Sequence, residues 1–411
     1  MKKFLTILLL LIVSLVFINC SKQEPPVKNS CNFKTPTVIQ NYPTDHLMDM
    51  NSAEYSYKAI NKLILSANDT IDIEVFYIAN KPNSKLDNYI IKPIIEKAKS
   101  GVHVRIIVDA NMAKTYPVDK LSTIPNIKVI KNSHYDKHGI VHAKIIIVDD
   151  KVFYLGSHNL DWITFELNHE LGIIYNNESL AGTMKKVFEF DWKNSNASKD
   201  DTHIKLAPTS NKPNQQYEIS ISPPNIEGIK SDQEQLIELM NNAKSEICMQ
   251  AMQVIGADTY RKTIWDKFNN AILNAANRGV KVRMMMSDWE FTQGYLKWSN
   301  QFLQNLISKD KNNNIEIRYS SFPIHNPCVP YSEVDHAKYM VIDSETAWIS
   351  TANLTESYFT SCRNYSFTAR KDKILGKQML DIFNTMWNSQ YITTYHDNVT
   401  KVTNNTCSPD K

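Results

Sequence analysis

The feature that constrains this chain most is a spacing pattern that occurs twice. The first copy places five polar residues at fixed intervals, namely His142, Lys144 at +2, Asp149 at +7, Ser157 at +15 and Asn159 at +17. The second copy keeps every interval, with His336, Lys338, Asp343, Thr351 and Asn353. One such pattern is a weak motif, but two in register indicate an internal repeat. The sequence therefore predicts two half-sites that together handle one phosphate group.

The repeat extends beyond these residues. Residues 101–109 and 279–287 each begin with glycine, which is typical of the residue after a helix, and continue as an apolar run typical of a buried strand. Residues 89–98 and 264–276 carry apolar side chains at the 3.6-residue spacing of a helix. Because strand and helix patterns alternate in both halves, we predict α/β layers around a largely parallel sheet.

Composition divides the chain into predicted segments. A polar, proline-rich stretch, residues 193–230, is predicted to be a linker. It separates a first half, residues 31–192, from a second half, residues 231–395, and residues 396–411 form a tail. Since both half-sites lie on one chain, we expect a monomer to suffice for activity, with no obligate protein partner.

Residues 1–20 have the proportions of a signal peptide. Two lysines precede an apolar run of about 15 residues, which is shorter than the ~20 that a membrane-spanning helix needs. We therefore expect cleavage and export, either to secretion or to the endolysosomal lumen. The alternatives are an uncleaved type II membrane anchor and a bacterial envelope lipoprotein that carries its lipid on Cys20. Sequons for N-glycosylation, which favour a eukaryotic secretory route, begin at Asn68, Asn177, Asn196, Asn353, Asn364, Asn398 and Asn404.

The motif residues gather on one face of a predicted hairpin. Residues 144–148 are mostly β-branched and predict a strand, in which side chains two apart share a face. His142 and Lys144 therefore point the same way. Residues 149–151 are predicted to turn and residues 152–155 to run back, after which Ser157 and Asn159 are again two apart. The hairpin brings an imidazole, an ammonium, a hydroxyl and an amide to one patch.

These residue types suit the cleavage of a phosphodiester, an anion that resists nucleophilic attack. Lysines offset the charge on the non-bridging oxygens, and asparagine amides add hydrogen-bond donors. One neutral histidine can attack phosphorus and form a phosphohistidine. The other, when protonated, can donate to the leaving oxygen and then take a proton from water. Since lysines supply the positive charge, we expect neither a metal ion nor another cofactor.

The doubled pattern, HxK(x)4D(x)6GSxN, resembles that of the phospholipase D superfamily. Four longer stretches are similar to the branch that contains the endolysosomal phospholipase D-like proteins and the poxvirus envelope phospholipases: residues 155–162, 169–175, 329–336 and 353–359. The resemblance implies a duplicated α/β/α sandwich with pseudo-twofold symmetry and an active site between the halves. Members of this branch act in phospholipid metabolism or as five-prime exonucleases on single-stranded nucleic acid.

The resemblance also implies a role for each motif residue. His142 matches the nucleophile and His336 the general acid. The positions that bind the substrate phosphate match Lys144, Lys338, Asn159, Asn353, Ser157 and Thr351. Asp149 and Asp343 match the aspartates of the catalytic motif, which are more often structural than chemical.

Outside the two motifs, Glu170 matches a carboxylate that orients a histidine in many members. The second half departs from the family here, because Asn364 stands in the equivalent place. It departs again at Ser350 and Thr351, where the family has Gly-Ser. Threonine keeps the hydroxyl, so we expect activity to survive.

The substrate is the least constrained expectation. Our first hypothesis is a phospholipid on a membrane surface, with phosphatidylcholine cleaved to phosphatidic acid and choline. The alternative is a five-prime exonuclease acting on single-stranded DNA or RNA, and a third is an inactive surface or scaffold protein. Both sets of motif residues are intact, which argues against the third, and the formal net charge of +3 is too small to imply a polyanion partner. A basic channel flanked by stacking aromatic rings would favour the nuclease, and an apolar rim would favour the lipase.

Overall fold

The computed structural model describes residues 33–44, 48–135, 139–196, 206–208, 214–255, 257–258, 263–288, 303–325, 329 and 331–394. The predicted signal peptide with Cys20, much of the predicted linker and the predicted tail lie outside these residues. Within the described ranges, no helix is both long and apolar enough to cross a bilayer.

The first sheet has eight strands. In chain order they are β1 (Thr37–Asn41), β2 (Glu54–Tyr55), β3 (Thr70–Val75), β4 (His103–Asp109), β5 (Ile127–Asn132), β6 (Lys144–Val148), β7 (Val152–Gly156) and β8 (Glu170–Asn176). Across the sheet their order is β2-β1-β8-β7-β6-β3-β4-β5. The strands β3, β4 and β5 are parallel, whereas β6, β7 and β8 are joined by antiparallel pairing.

The second sheet repeats this plan. Its strands are β9 (Tyr217–Ser222), β10 (Lys230–Ser231), β11 (Glu246–Ala251), β12 (Lys281–Ser287), β13 (Ile315–Ser320), β14 (Tyr339–Ile342), β15 (Thr346–Ser350), β16 (Asn364–Ala369) and β17 (Ile392–Thr393). Their order is β10-β9-β16-β15-β14-β11-β12-β13-β17, so each strand of the first sheet has its counterpart in the second, and β17 is added at one edge. The predicted duplication is therefore confirmed.

Both sheets are mixed, so the prediction of a largely parallel sheet was wrong. The three-residue turn between β6 and β7 is too short for the crossover that parallel strands require, and it forces antiparallel pairing. The predicted linker was also too long, because β9 lies within residues 193–230. Its alternating apolar residues Tyr217, Ile219 and Ile221 are a strand pattern, and the prolines around them obscured it.

Helices pack on both faces of the sheets. They are α1 (Ser56–Leu65), α2 (Lys92–Lys99, after a π-helical turn over Asp87–Ile91), α3 (Met112–Thr115), α4 (Asp119–Ser122), α5 (Trp162–Glu166), α6 (Glu178–Lys193), α7 (Asp232–Asn242), α8 (Asp266–Asn277), α9 (Glu356–Thr360) and α10 (Lys373–Trp387). Helices α2 and α8 occupy the two stretches predicted as helical. Gly101 follows α2 with a φ of 105°, a backbone conformation that glycine adopts without strain.

The strands alternate their side chains between two cores. In β6, Ile146 and Val148 pack outwards with α1 and α2 in the core of the first half. Ile145 and Ile147 point the other way, into a core that also contains Tyr339 and other residues of the second half. A third core packs β11 and β12 against α7 and α8. The central core fixes the two halves against each other and places their hairpins on either side of one seam.

Candidate active site

Two backbone bridges across the seam bring the motif histidines together. The N–H of His142 donates to the carbonyl oxygen of Arg363 over 2.9 Å, and the N–H of His336 donates to that of His169 over 2.8 Å. Arg363 and His169 directly precede Asn364 and Glu170 in the sequence. His142 is therefore held against the start of β16, and His336 against the start of β8. Each of these strands belongs to the opposite half.

The histidine rings have different partners, both from the opposite half. Nδ1 of His142 lies 3.0 Å from Oδ1 of Asn364, whereas Nδ1 of His336 lies 2.8 Å from Oε1 of Glu170. The amide nitrogen of Asn364 donates to the carbonyl oxygen of Tyr358 over 2.8 Å, which fixes its oxygen towards His142. Nδ1 of His142 must therefore carry the hydrogen, and its Nε2 keeps the lone pair when the ring is neutral.

Two hydroxyl groups support these partners. Ser157 donates to Oε2 of Glu170, and Thr351 donates to Oδ1 of Asn364 over 3.0 Å. Both side chains are fully buried. The prediction that they bind the substrate phosphate needs correction, because their hydroxyl hydrogens are committed to the residues that orient the histidines.

The two motif lysines are buried beside the histidines. Lys144 donates to the carbonyl oxygen of His142 over 2.9 Å, and Lys338 donates in the same way to His336. An ammonium group has three donors, so each lysine keeps hydrogens for a further acceptor. Burial, reinforced by the other lysine, holds the pKa of Lys144 well below its usual value, and burial lowers the pKa of Lys338 to about 7. An entering anion removes part of this cost and favours the charged form of both.

The same environment acts on the histidines. Burial, followed by the two lysines, holds the pKa of His142 and of His336 well below the usual value of 6.5. Both rings therefore favour the neutral form near neutral pH. A bound phosphodiester brings a negative charge between the lysines, which raises these pKa values and favours one protonated ring.

Asn159 and Asn353 complete the cluster and line its cavity. In each, the amide oxygen is buried and has no hydrogen-bond partner among the described residues. A buried amide without a partner is costly unless a ligand or water satisfies it. Rotation of the amide offers its two N–H donors instead, as a phosphate oxygen requires.

The cavity has a volume of about 410 Å³ and is lined mainly by aromatic and polar side chains. Phe76 and Tyr358 flank the ring of His142, with centroids 5.2 Å and 4.8 Å away. Tyr77 stacks on Tyr116 at 4.7 Å. The other residues that line the cavity are Met112, Asp161, Ile163, Asn168, Met252, Gln253, Tyr331, Val334, His336, Thr355 and Ser357. Among these described lining residues none is basic apart from the histidines.

Asp161 is a carboxyl group of the cavity that the sequence did not single out. It accepts a hydrogen bond from Tyr77 over 2.7 Å and from the N–H of Thr164 over 2.6 Å, which caps α5. Burial raises its pKa to about 6. The cavity wall beside the motif histidines, lysines and asparagines therefore combines aromatic rings with one acidic group.

A second buried pair lies behind His336. His169 is 2.8 Å from Asp335, and Gln250 donates to both oxygens of Asp335 over 2.6 and 2.7 Å. The pair joins the residues that directly precede Glu170 and His336. The sequence shows that His169 and Asp335 are each next to a site residue, which could have drawn attention to them. Only the folded chain shows that the two stretches meet.

The motif aspartates do not line the cavity. Asp149 accepts the backbone N–H groups of Asn68, Asp69 and Thr70 at 2.8–2.9 Å. Asp343 accepts those of residues 244–246 in the same way. Both lie in the turn at the far end of their hairpin, so their inclusion among the catalytic residues was wrong. Burial alone would raise the pKa of Asp149, but these backbone donors outweigh it and lower the pKa.

We expect Asp149→Asn to lower stability and to leave the chemistry unchanged. Asparagine tolerates the φ of 50° at this position but replaces one accepting oxygen with a donor. The loss of charge-assisted bonds is expected to cost about 1–3 kcal/mol of unfolding free energy. Urea unfolding and kcat of the folded enzyme check this, with the exposed neighbour Asp150→Asn as the matched control. A large fall in kcat at unchanged stability would contradict it.

Comparison with known proteins agrees with this geometry. The sequence model described as "Cardiolipin synthase, PLD-like domain" matches residues 60–192 and 236–387, which is more than half of the chain. The chain belongs to the phospholipase D family. It is a phosphodiesterase with two copies of the family motif, and the implied branch and fold are confirmed.

Some of its relatives are named as phospholipases and others as enzymes that act on nucleic acids. "Phospholipase D Z" of Dictyostelium discoideum is 30% identical, over 85% of this chain and 89% of its own. "Virion nicking-joining enzyme" of vaccinia virus (strain Western Reserve) is 30% identical, over 80% of this chain and 82% of its own. "5'-3' exonuclease PLD3" of Xenopus tropicalis is 25% identical, over 90% of this chain and 82% of its own.

A solved structure shows the same fold. Phosphatidylserine synthase of Haemophilus influenzae matches with a TM-score of 0.60 at 10% identity, over 82% of this chain and 84% of its own. At that identity the likeness concerns the fold alone.

Proposed function

We propose that this enzyme is a phospholipase D-type hydrolase that cleaves the headgroup bond of a phospholipid such as phosphatidylcholine. The choice of substrate rests on the wall of the cavity, where Phe76, Tyr77, Tyr116 and Tyr358 lie with the carboxyl group of Asp161. Aromatic faces attract a cationic headgroup, whose positive charge also favours the ionised form of Asp161, and they offer little to the further phosphates of a polyanion.

The reaction follows from the two ring environments. Nε2 of His142 attacks phosphorus while Lys144, Lys338 and the two asparagine amides hold the non-bridging oxygens. Protonated His336 donates to the leaving oxygen as the phosphorus–oxygen bond breaks, so the headgroup leaves with a neutral hydroxyl group. Neutral His336 then takes a proton from water, whose oxygen attacks phosphorus and breaks the bond to His142. Phosphatidic acid leaves, and both rings return to their starting states.

The asymmetric partners support this assignment of roles. The carboxylate of Glu170 stabilises an imidazolium at His336, which suits a residue that must hold a proton and then accept one again. The amide oxygen of Asn364 accepts the hydrogen of His142 without adding charge, which keeps this ring neutral and nucleophilic. On this basis we propose that His142 is the nucleophile, as the resemblance to the family implies.

A five-prime exonuclease acting on single-stranded DNA or RNA is the second candidate. The stacked pair Tyr77–Tyr116, which lines the cavity, favours it, because aromatic rings can stack on bases. The purified enzyme should be assayed side by side on phosphatidylcholine and on a single-stranded oligonucleotide with a free five-prime end. Choline release without nucleotide release supports the lipase, and the reverse result replaces it with the nuclease.

The pH profile is expected to favour acid conditions with either substrate. The pKa of His336 lies well below 6.5 in the free enzyme, so the protonated acid is lost as the pH rises through the acidic range. Lys338, with a pKa of about 7, then loses its charge and steepens the decline. We expect kcat/KM to fall by roughly tenfold per pH unit on this limb. A profile that stays flat to about pH 8 would contradict the assigned general acid.

The acid preference would suit an endolysosomal lumen. We propose export through residues 1–20 on the sequence pattern described above. Expression of the full chain with a C-terminal tag, followed by N-terminal sequencing of the product, distinguishes a cleaved signal peptide from an anchor or a lipidated Cys20.

A further inference from the structure

We propose that a surface of lysines and aromatic rings on the first half binds an anionic phospholipid bilayer and turns the cavity mouth towards it. The surface, here the Lys–aromatic patch, consists of Tyr55, Tyr57, Lys58, Lys81, Lys85, Tyr89 and Trp162. This inference rests on the proposed function, because a hydrolase of membrane phospholipids must meet its substrate in a bilayer.

Five of the seven patch residues are joined by direct side-chain contacts on the first half. The ammonium group of Lys58 lies 5.3 Å from the ring centroid of Tyr55 and 5.8 Å from that of Tyr57. Lys85 approaches the same Tyr57 ring at 5.2 Å. The ring of Tyr57 also meets that of Tyr89 edge-on, with centroids 4.8 Å apart. These contacts tie the start of α1 to the segment before α2.

The patch reaches the edge of the cavity through Trp162. Lys81 lies over the Trp162 ring at 4.0 Å. Trp162 stands between Asp161 and Ile163, which both line the cavity. The backbone N–H of Lys85 donates to Glu166 over 2.8 Å, which fixes this segment against α5. A membrane bound to the patch would therefore lie beside the cavity mouth.

The charge of the patch is positive. Lys58 and Lys81 are exposed, and Tyr55 and Tyr89 are 49% and 38% exposed. The nearby carboxylates of Glu54 and Asp87 are engaged by Lys62 at 2.6 Å and Lys92 at 2.9 Å. In the part of the chain that the structure describes, none of the three patch lysines forms an ion pair with a carboxylate. The exposed charges of Lys58 and Lys81 remain available to an anionic surface, whereas Lys85 is half-buried and donates to Thr44 over 3.3 Å.

The arrangement of the rings favours a membrane over a nucleic acid. Bases stack on open ring faces, but lysine ammonium groups lie over the faces of Tyr55, Tyr57 and Trp162. At a bilayer, tyrosine and tryptophan place their rings at the level of the headgroups, and lysines extend their charged ends to the lipid phosphates. The patch has the composition that this interface requires.

The test compares a patch variant with a charge-matched control. Lys58→Gln with Lys81→Gln removes two charges from the patch, and Lys99→Gln with Lys128→Gln removes two exposed charges elsewhere on the same half. Sedimentation of the exported protein with vesicles of phosphatidylcholine, with and without phosphatidylserine, measures binding. We expect the patch variant to bind the anionic vesicles roughly 30-fold more weakly, since each lysine near such a surface contributes about a fivefold gain. The control is expected to bind as the wild type does.

A second readout separates this inference from the proposed function. Hydrolysis of a short-chain, monomeric phosphatidylcholine needs no vesicle surface, so the patch variant should keep wild-type kcat/KM on it. Unchanged binding of the patch variant to anionic vesicles overturns the inference even if lipid hydrolysis is intact. So does a selective loss of single-stranded oligonucleotide binding, which would assign the patch to a nucleic acid. Vesicle binding that depends on the patch in an enzyme that cleaves no phospholipid would refute the proposed function alone.

Discussion

Replacement of either motif histidine with alanine is expected to lower kcat by about 10⁴-fold or more, as found when one member of a catalytic unit is removed. His142→Ala removes the nitrogen that bonds to phosphorus, and His336→Ala removes the proton that the leaving group needs. Steady-state assays on the preferred substrate measure both. His103→Ala, at an exposed position at the start of β4, is the matched control and should leave kcat unchanged.

A substrate with an acidic leaving group distinguishes the two roles. A p-nitrophenyl phosphodiester expels nitrophenolate without a proton donor, so His336→Ala should still form the phosphohistidine and release one equivalent of nitrophenolate. His142→Ala should release none. Rapid mixing followed at the nitrophenolate absorbance, with acid-labile phosphate on the protein as a second signal, measures the burst. A burst from His142→Ala alone would reverse the assignment, and full activity in either variant would end the two-histidine mechanism.

The sequence could predict those parts of the site that are local in the chain. Lys144 is the first residue of β6 and His142 lies two residues before it, so the alternation of side chains along an extended chain was enough to predict that both point the same way. The duplication predicted the remaining step, that two equal hairpins come together to make one site. The same locality explains why Asn159 and Asn353 were found: each follows its hairpin at a fixed distance along the chain.

Contacts across the seam could not be read from the chain. Asn364 looked like a loss of the carboxylate found in the first half, yet it is the partner of His142, 222 residues away. The pair of His169 and Asp335 joins residues 166 apart for the same reason. Asp149 was placed with the catalytic residues because it recurs with the motif, but a recurring residue can also serve the repeat's own fold. Here it ties the turn to the start of β3.

An exchange of the two histidine partners is the sharpest test of how the roles are set. Glu170→Gln keeps the shape of the side chain and removes the charge that stabilises the His336 imidazolium, so we expect kcat to fall by about 10²- to 10³-fold. The falling limb of the pH profile should move to lower pH, because the pKa of His336 decreases further. Glu96→Gln, at an exposed position of α2, is the control.

Asn364→Asp places a carboxylate beside His142 and should raise its pKa, which protonates the nucleophile under acid conditions and lowers activity there. If the partners alone assign the roles, the double variant carries one carboxylate and one amide again, with their places exchanged. It should then regain at least about tenfold over Glu170→Gln, because coupled residues do not act additively. Activity equal to the product of the two single losses would show that the partners do not assign the roles. In that case the surroundings of the rings, such as Phe76 and Tyr358 beside His142, would have to determine which histidine attacks.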